Sequence, residues 1–254
     1  MLLLRRLAIY FFSLAALFCF YLILIKSGDI FYWALSLVVI LALVHILVVG
    51  SYKAKKGSLI FLSQSVFFVG TSVSFLILLE NYNLKIFLIF SIALALFFYW
   101  LLLLNFFHWP NEYQPFSLAD FGHYLLLISW FFLNTAVFAL IIFLNLSFWL
   151  AALLLAFLFL IIQAWEFWLQ KKSIQNVWRF LLTGSVIFLE LAIVLSVLPT
   201  SYFVKGFLAV LSAYLWLDLI SLERGQNWSQ KVFFKKVIFS LFMIIIVLST
   251  SRWF

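Results

Sequence analysis

Apolar stretches of about 20 residues, the length that crosses a bilayer as an α-helix, follow one another along this chain with short charged gaps between them. Hydrophobic residues make up 68% of the sequence and charged residues 9%, against about 25% in a typical water-soluble domain. A water-soluble core could not bury that much apolar surface, so the helices must contact lipid. The sequence therefore predicts an all-α fold, a polytopic transmembrane helix bundle that forms a single integral membrane domain over residues 1–254.

Nine spans are predicted, with eight as the alternative count because the last span opens with an amphipathic stretch that suits the membrane interface. Residues 145–147 separate spans five and six. One helix across both spans would be about twice as long as the bilayer is thick, so we expect a tight helical hairpin there. Span eight is expected to begin just after Pro199, with Lys205 reaching outward to the interface. The predicted spans are 7–25, 30–50, 58–80, 86–107, 124–145, 148–169, 177–198, 201–222 and 232–251.

Lysine and arginine residues are divided unequally between the two sides of these spans. Twelve fall on one side and four on the other. Because basic residues collect on the cytoplasmic side, the N-terminus is predicted to be cytoplasmic and the C-terminus outside. The four basic residues on the outer side are Lys26, Lys85, Lys205 and Arg252.

The formal net charge of +8 is carried mainly by short loops beside apolar spans. Basic loops in that position bind anionic headgroups, so membrane lipids are expected partners and nucleic acid is not. Cys19, the single cysteine, lies inside the first span and can form no intramolecular disulfide or cysteine metal cluster. Abundant Phe, Ile, Leu and Lys with little Gly or Pro is typical of an AT-rich bacterial genome, which favours a bacterial inner membrane as the cell membrane that holds this chain.

Four acidic or histidine residues fall inside predicted spans and away from the terminal residues, at depths where a charged group costs at least about 2.5–3.5 kcal/mol. They are His45, Glu166, Glu190 and Asp218. Glu190 lies near the middle of span seven and is expected either to handle protons or cations or to hydrogen-bond span seven to a neighbouring helix. The other three lie near cytoplasmic ends, where access to water lowers the cost. There Asp218 is expected to pair with Arg224 or with a neighbouring helix.

The predicted cytoplasmic loop over residues 108–123 differs from the other loops because it contains no Lys or Arg. Its candidate binding residues are His108, Glu112, Asp120 and His123. Together with five polar residues in the inner third of the bilayer, they predict a polar pocket that opens to the cytoplasm. These five are His45, Asn105, Gln163, Glu166 and Asp218. His108 and Glu112 have the spacing of metal ligands on a helix, but the proline between them argues against a helix, so no metal site is predicted.

Small residues identify the predicted helix-packing sites. Span three is rich in Ser, Thr and Gly, and Gly70 and Ser74 form a small-xxx-small step that lets two helices approach closely. Gly184 is a second glycine well inside a span. We therefore expect Gly70, Ser74 and Gly184 to lie at helix–helix contacts, with span three at the centre of the bundle.

No catalytic or cofactor motif stands out in the sequence. It has no HExxH, no GxSxG and no Walker A loop, so no cofactor is expected. The leading hypothesis is a non-enzymatic membrane scaffold, partner or assembly subunit that binds another membrane protein or forms a homo-oligomer. One alternative is a small transporter or channel that uses Glu190 and the cytoplasm-facing polar cluster. The second is a lipid- or polyprenyl-active membrane enzyme with its site at loop 108–123.

Overall fold

A computed structural model describes residues 2–49, 58–108, 117–169, 178–222 and 230–251. These residues form nine α-helices, a 3-10 turn at Ser27–Asp29 and no β-strand, which confirms the predicted helical bundle. The helices are α1 (Leu2–Ile25), α2 (Ile30–Val49), α3 (Ser58–Leu78), α4 (Tyr82–His108), α5 (Ser117–Leu144), α6 (Phe148–Leu169), α7 (Trp178–Val197), α8 (Tyr202–Leu222) and α9 (Gln230–Thr250).

Seven of these helices, α1 to α7, contain an apolar stretch that is long enough to cross a membrane within the described residues. Helices α8 and α9 have 21 residues each. Length and composition thus define a polytopic helical membrane protein. The count of nine spans and the cytoplasmic N-terminus remain predictions, because most of the loops on which the orientation depends lie outside the described residues.

The turn between α5 and α6 is the tight hairpin that the sequence predicts over residues 145–147. Asn145 has a positive φ of 51°, the left-handed conformation that often ends a helix. The Ser147 carbonyl accepts the first backbone hydrogen bond of α6, from the Ala151 N–H at 3.0 Å. Ser147 therefore occupies the N-cap position of α6.

Side-chain caps determine where α4 and α8 begin. The Asn81 Oδ1 atom accepts a hydrogen bond from the Asn83 N–H at 2.9 Å, so α4 starts before residue 86, the predicted start. The Ser201 Oγ atom accepts a hydrogen bond from the Val204 N–H at 3.4 Å. This cap starts α8 just after Pro199, as the sequence predicts.

The predicted loop over residues 108–123 is shorter than expected. His108 is the last residue of α4, and α5 begins at Ser117 instead of residue 124. Asp120 lies in the first turn of α5, where the positive end of the helix dipole favours a carboxylate. The assignment of residues 117–123 to a loop was therefore wrong.

The chain forms two compact units, Met1–Ser129 and Trp130–Phe254. The boundary between them falls inside helix α5 and not in a polar linker of the kind that separates domains. The expectation of a single membrane domain therefore stays a prediction.

The first unit is built around α1, which packs against α2 and α4, while α2 also packs against α3. Phe20, Leu37 and Leu96 are fully buried where these helices meet. Apolar side chains in contact with lipid gain little from leaving it, so close packing and interhelical hydrogen bonds hold such helices together.

The second unit is built around the α6–α7 pair, with α8 packed against both α7 and α9. Its centre is an aromatic cluster of Trp130, Phe159 and Phe188, all buried. The ring centroids of Phe159 and Phe188 lie 4.4 Å apart in a stacked arrangement, and Trp130 lies 5.4 and 5.0 Å from them. Such pairs gain about 0.5–1.5 kcal/mol beyond the burial of their area.

Candidate functional site

A fully buried amide, Gln163 on α6, links three helices of the second unit. Its Oε1 atom accepts a hydrogen bond from the Trp216 Nε1–H of α8 at 2.9 Å. Its Nε2 atom donates to the Ser185 hydroxyl of α7 at 3.3 Å and lies 3.4 Å from the Leu181 carbonyl. Because both ends of the amide have partners, this contact between α6, α7 and α8 leaves no polar atom of Gln163 open to a ligand.

Gly184 allows that contact to form. A Cβ atom at this position would overlap both Gln163 Oε1 and Trp216 Nε1, so only glycine leaves room for them. Gly184 therefore lies at a close helix–helix contact in the structure. The sequence could identify Gly184 as a small residue within a span, but not its partners, because Gln163 and Trp216 are distant in sequence.

Asp218, near the C-terminal end of α8, pairs with a neighbouring helix, as one of the two predicted alternatives has it, while Arg224 lies outside the described residues. The Lys236 Nζ atom of α9 lies 3.0 and 2.8 Å from its two carboxylate oxygens. The same ammonium lies 5.1 Å from the centre of the Tyr214 ring. The pair neutralises a buried carboxylate and joins α8 to α9.

Lys205 was expected to reach outward to the interface, and that expectation was wrong. It is buried, and its Nζ atom donates to the Ser196 carbonyl at 3.1 Å. Ser196 lies in the last turn of α7, where unsatisfied carbonyls favour a cation. Lys205 therefore caps α7 from α8 and is not available as an interfacial charge.

Glu190 has a different environment from these residues. It is the thirteenth of the 20 residues of α7, about 4 Å from the middle of the helix at 1.5 Å per residue. Its side chain is exposed, and it makes no hydrogen bond or ion pair with the described residues. Of the sequence-predicted candidates, Glu190 alone combines an exposed carboxyl with a position in the middle third of an apolar helix.

The exposed residues around Glu190 define a stripe along the helix, which we call the α7 outer face. It consists of Leu182, Thr183, Val186, Ile187, Glu190, Val194 and Val197. These residues follow the spacing of three and four that places side chains on one side of a helix. Five of these seven residues are β-branched, and the exceptions are Leu182 and Glu190.

In the first unit, the predicted candidates His45 and His108 have separate environments. His45 is buried on α2 with its ring 6.2 Å from that of Trp100. His108 Nε2 accepts a hydrogen bond from the Arg5 guanidinium, and His108 Nδ1 lies 3.2 Å from the Leu104 carbonyl. His108 thus joins the end of α4 to α1.

Gln64, in span three, was not among the predicted site residues but links three helices of the first unit. Its Nε2 atom donates to the Gly122 carbonyl of α5 at 2.9 Å. The Tyr99 hydroxyl of α4 lies 3.1 Å from Gln64 Oε1 and 3.0 Å from the Phe61 carbonyl. An amide inside an apolar span is the signal that could have identified Gln64, as it placed Gln163 in the predicted polar pocket.

The remaining candidates of the predicted cytoplasmic pocket lie on α5, on α6 or outside the described residues. Asp120 is exposed, His123 is half-buried, and Glu112 lies outside the described residues. Glu166 is half-buried on α6, one turn beyond Gln163. Within the described part of the chain, no three His, Cys, Asp or Glu residues are grouped so as to hold a metal ion.

The predicted packing step of span three faces outward. Gly70 and Ser74 are exposed on α3, and a Cβ at Gly70 would have no atom within 4 Å among its described surroundings. The contact expected at Gly70 is therefore not formed there. The packing of α3 uses the opposite, buried face, which carries Gln64, Phe68 and Ser72.

Two cavities are described in the first unit, and both are small. One of about 10 Å³ lies between α1, α2 and α4 beside Ser13 and Trp100. The other, of about 120 Å³, is lined by apolar side chains and by Lys85. Neither approaches the roughly 300–1,000 Å³ of a typical small-molecule site.

Comparisons of this chain with family models, with curated proteins and with solved structures gave no match.

Proposed function

We propose that this chain is a non-enzymatic assembly subunit of a membrane-protein complex in a bacterial inner membrane, and that it docks through the α7 outer face. The observation that carries this proposal is the exposed carboxyl of Glu190 near the middle of an apolar helix. A charged side chain at such a depth costs at least about 2.5–3.5 kcal/mol against lipid. A partner that supplies a hydrogen bond relieves that cost, so the carboxyl favours association.

The shape of the α7 outer face also supports docking. Apart from Leu182, its other members are Thr, Val and Ile, whose χ1 angles are already restricted in a helix, so ordering them in a contact costs little entropy. The neighbouring exposed face of α6 carries larger side chains, none of them β-branched: Trp149, Leu150, Leu153, Leu154 and Phe157. The α6 face resembles an ordinary lipid-facing surface, and we use it as the reference.

The polar groups elsewhere support assembly over transport or catalysis. Gln163, Asp218 and Lys205 all have partners on neighbouring helices, so their polar atoms join helices together. The transporter and enzyme alternatives rest on no further observation, while the basic loops remain proposed contacts for anionic lipid headgroups.

Photo-cross-linking in intact membranes tests this function. A benzophenone amino acid is placed at Val186 or at Val194, one turn on either side of Glu190. Matched controls carry it at Leu153 or Phe157 on the exposed face of α6. We expect protein adducts from the two α7 positions and adducts with lipid alone from the two α6 positions.

The Glu190→Leu substitution separates docking from chance proximity. It removes the hydrogen-bonding group and leaves an apolar side chain that suits lipid, so the protein adducts at Val186 should disappear while the amount of folded protein is unchanged. Lipid adducts alone at both α7 positions in the unsubstituted chain would overturn the proposal.

A further inference from the structure

We infer that the occupant of the α7 outer face is a second copy of this chain, and that the two Glu190 carboxyl groups hydrogen-bond to each other across a two-fold axis. This inference rests on the proposed docking function and names its partner. The juxtaposition that carries it is a carboxyl near mid-helix within an exposed stripe in which five of the other six side chains are β-branched.

Depth is the first argument. Two copies inserted in the same orientation are related by an axis normal to the membrane, so every residue of one copy lies at the depth of the same residue in the other. Glu190 would therefore meet Glu190 at the same level when α7 packs against α7. A different partner would need its own polar group at that level.

Hydrogen-bond chemistry is the second argument. A carboxyl that retains its proton is both a donor and an acceptor, whereas a carboxylate accepts only. Two carboxyls that share protons therefore satisfy each other without any other polar group. This suits the chain, because each Lys and Arg of the nine described helices lies within the first seven residues of its helix. These helices therefore offer no Lys or Arg partner in the middle of a span.

Surface shape is the third argument. Val186 and Val194 lie four residues before and after Glu190 on the same face, and Thr183 and Val197 extend the stripe by about another turn in each direction. These side chains are shorter than the Leu, Phe and Trp of the α6 face, so two α7 helices can approach closely enough for the carboxyls to touch. Close approach is what membrane helix pairs require, since packing and interhelical hydrogen bonds drive their association.

Disulfide trapping in native membranes tests the inference. Cys19 is replaced by Ser, single cysteines are placed at Val186 or Val194, and a copper–phenanthroline oxidant is added. We expect a covalent dimer at twice the monomer mass from both positions, because disulfides form when Cα atoms come within about 7 Å. A cysteine at Leu153 on the α6 face is the matched control and should stay monomeric.

Two substitutions at Glu190 test whether the dimer depends on a hydrogen bond between the two carboxyl groups. Glu190→Leu should reduce the trapped dimer about ten-fold, because it removes the interhelical hydrogen bond. Glu190→Gln keeps a donor and an acceptor and should retain the dimer. Thermal unfolding in detergent checks that both variants fold as the unsubstituted chain does.

Three results would overturn the inference. They are monomers at both α7 positions, equal trapping at Leu153, and a dimer that persists in Glu190→Leu. Loss of the dimer in Glu190→Gln would also contradict it, because that pattern requires a charged partner. If trapping fails while the photo-cross-links at Val186 to another protein persist, the docking function stands and only the second copy is wrong.

Discussion

The two faces of α7 show how one helix can serve two purposes. The inner face carries Gly184, Ser185 and Phe188, which are buried. There every polar contact is completed inside the second unit, through Gln163 and Trp216. The outer face carries a carboxyl that makes no hydrogen bond or ion pair within the described residues.

The two faces differ in whether their polar groups have hydrogen-bond partners among the described residues. Polar side chains in an apolar helix are costly unless they are paired, so a paired group contributes to folding and an unpaired one favours association. Substitutions on the inner face should therefore change the stability of the monomer. Substitutions on the outer face should change only its association.

The largest effect on stability is expected for Gly184→Leu. The new side chain has no space between Gln163 and Trp216, and overpacking of a close contact costs about 1–3 kcal/mol or more. Thermal unfolding of the purified chain in detergent measures the loss. An unchanged melting temperature would mean that α6, α7 and α8 do not meet at Gly184.

A smaller loss is expected for Gln163→Leu. This change removes the partner of the Trp216 indole N–H and of the Ser185 hydroxyl, and interhelical hydrogen bonds in membranes contribute about 0.6–2 kcal/mol. The double variant Gln163→Leu with Trp216→Phe is the informative control. It should lose less stability than the two single changes added together, because the two residues share one hydrogen bond. If the stability losses of the two single variants simply add in the double variant, the hydrogen bond between Gln163 and Trp216 is contradicted.

Gly70→Leu is the matched control for Gly184→Leu and should change stability by no more than about 0.5 kcal/mol, as surface substitutions usually do. Both glycines lie inside spans, but a Cβ at Gly70 would meet open space. If Gly70→Leu is as damaging as Gly184→Leu, then α3 packs through the small-xxx-small step that the sequence indicated.

The smallest effect on the stability of the monomer is expected for Glu190→Leu, again within about 0.5 kcal/mol in detergent. The same substitution should abolish the α7 cross-links in membranes. We therefore expect the cross-linking yield to fall while the stability of the monomer in detergent stays nearly the same. A large loss of monomer stability would place Glu190 in an internal contact and remove the distinction between the two faces.

Much of the helical architecture could be predicted from hydropathy, because lipid imposes a length and a composition on each span. The hairpin at residues 145–147 and the start of α8 after Pro199 followed from local capping chemistry. The beginnings of α4 and α5 did not, because hydropathy marks the apolar part of a helix, whereas Asn81 and Asp120 extend these two helices beyond it.

The sequence by itself determined that this chain is helical and resides in a membrane, and which ionisable groups lie within its spans. Those properties depend on composition and on neighbours along the chain. Only the tertiary structure decided three further properties. They are which glycine lies at a close helix contact, which amide joins three helices, and which carboxyl has no hydrogen-bond partner among the described residues. Gly70 and Gly184 look alike in sequence, because partners distant in sequence decide their roles and no local pattern records them.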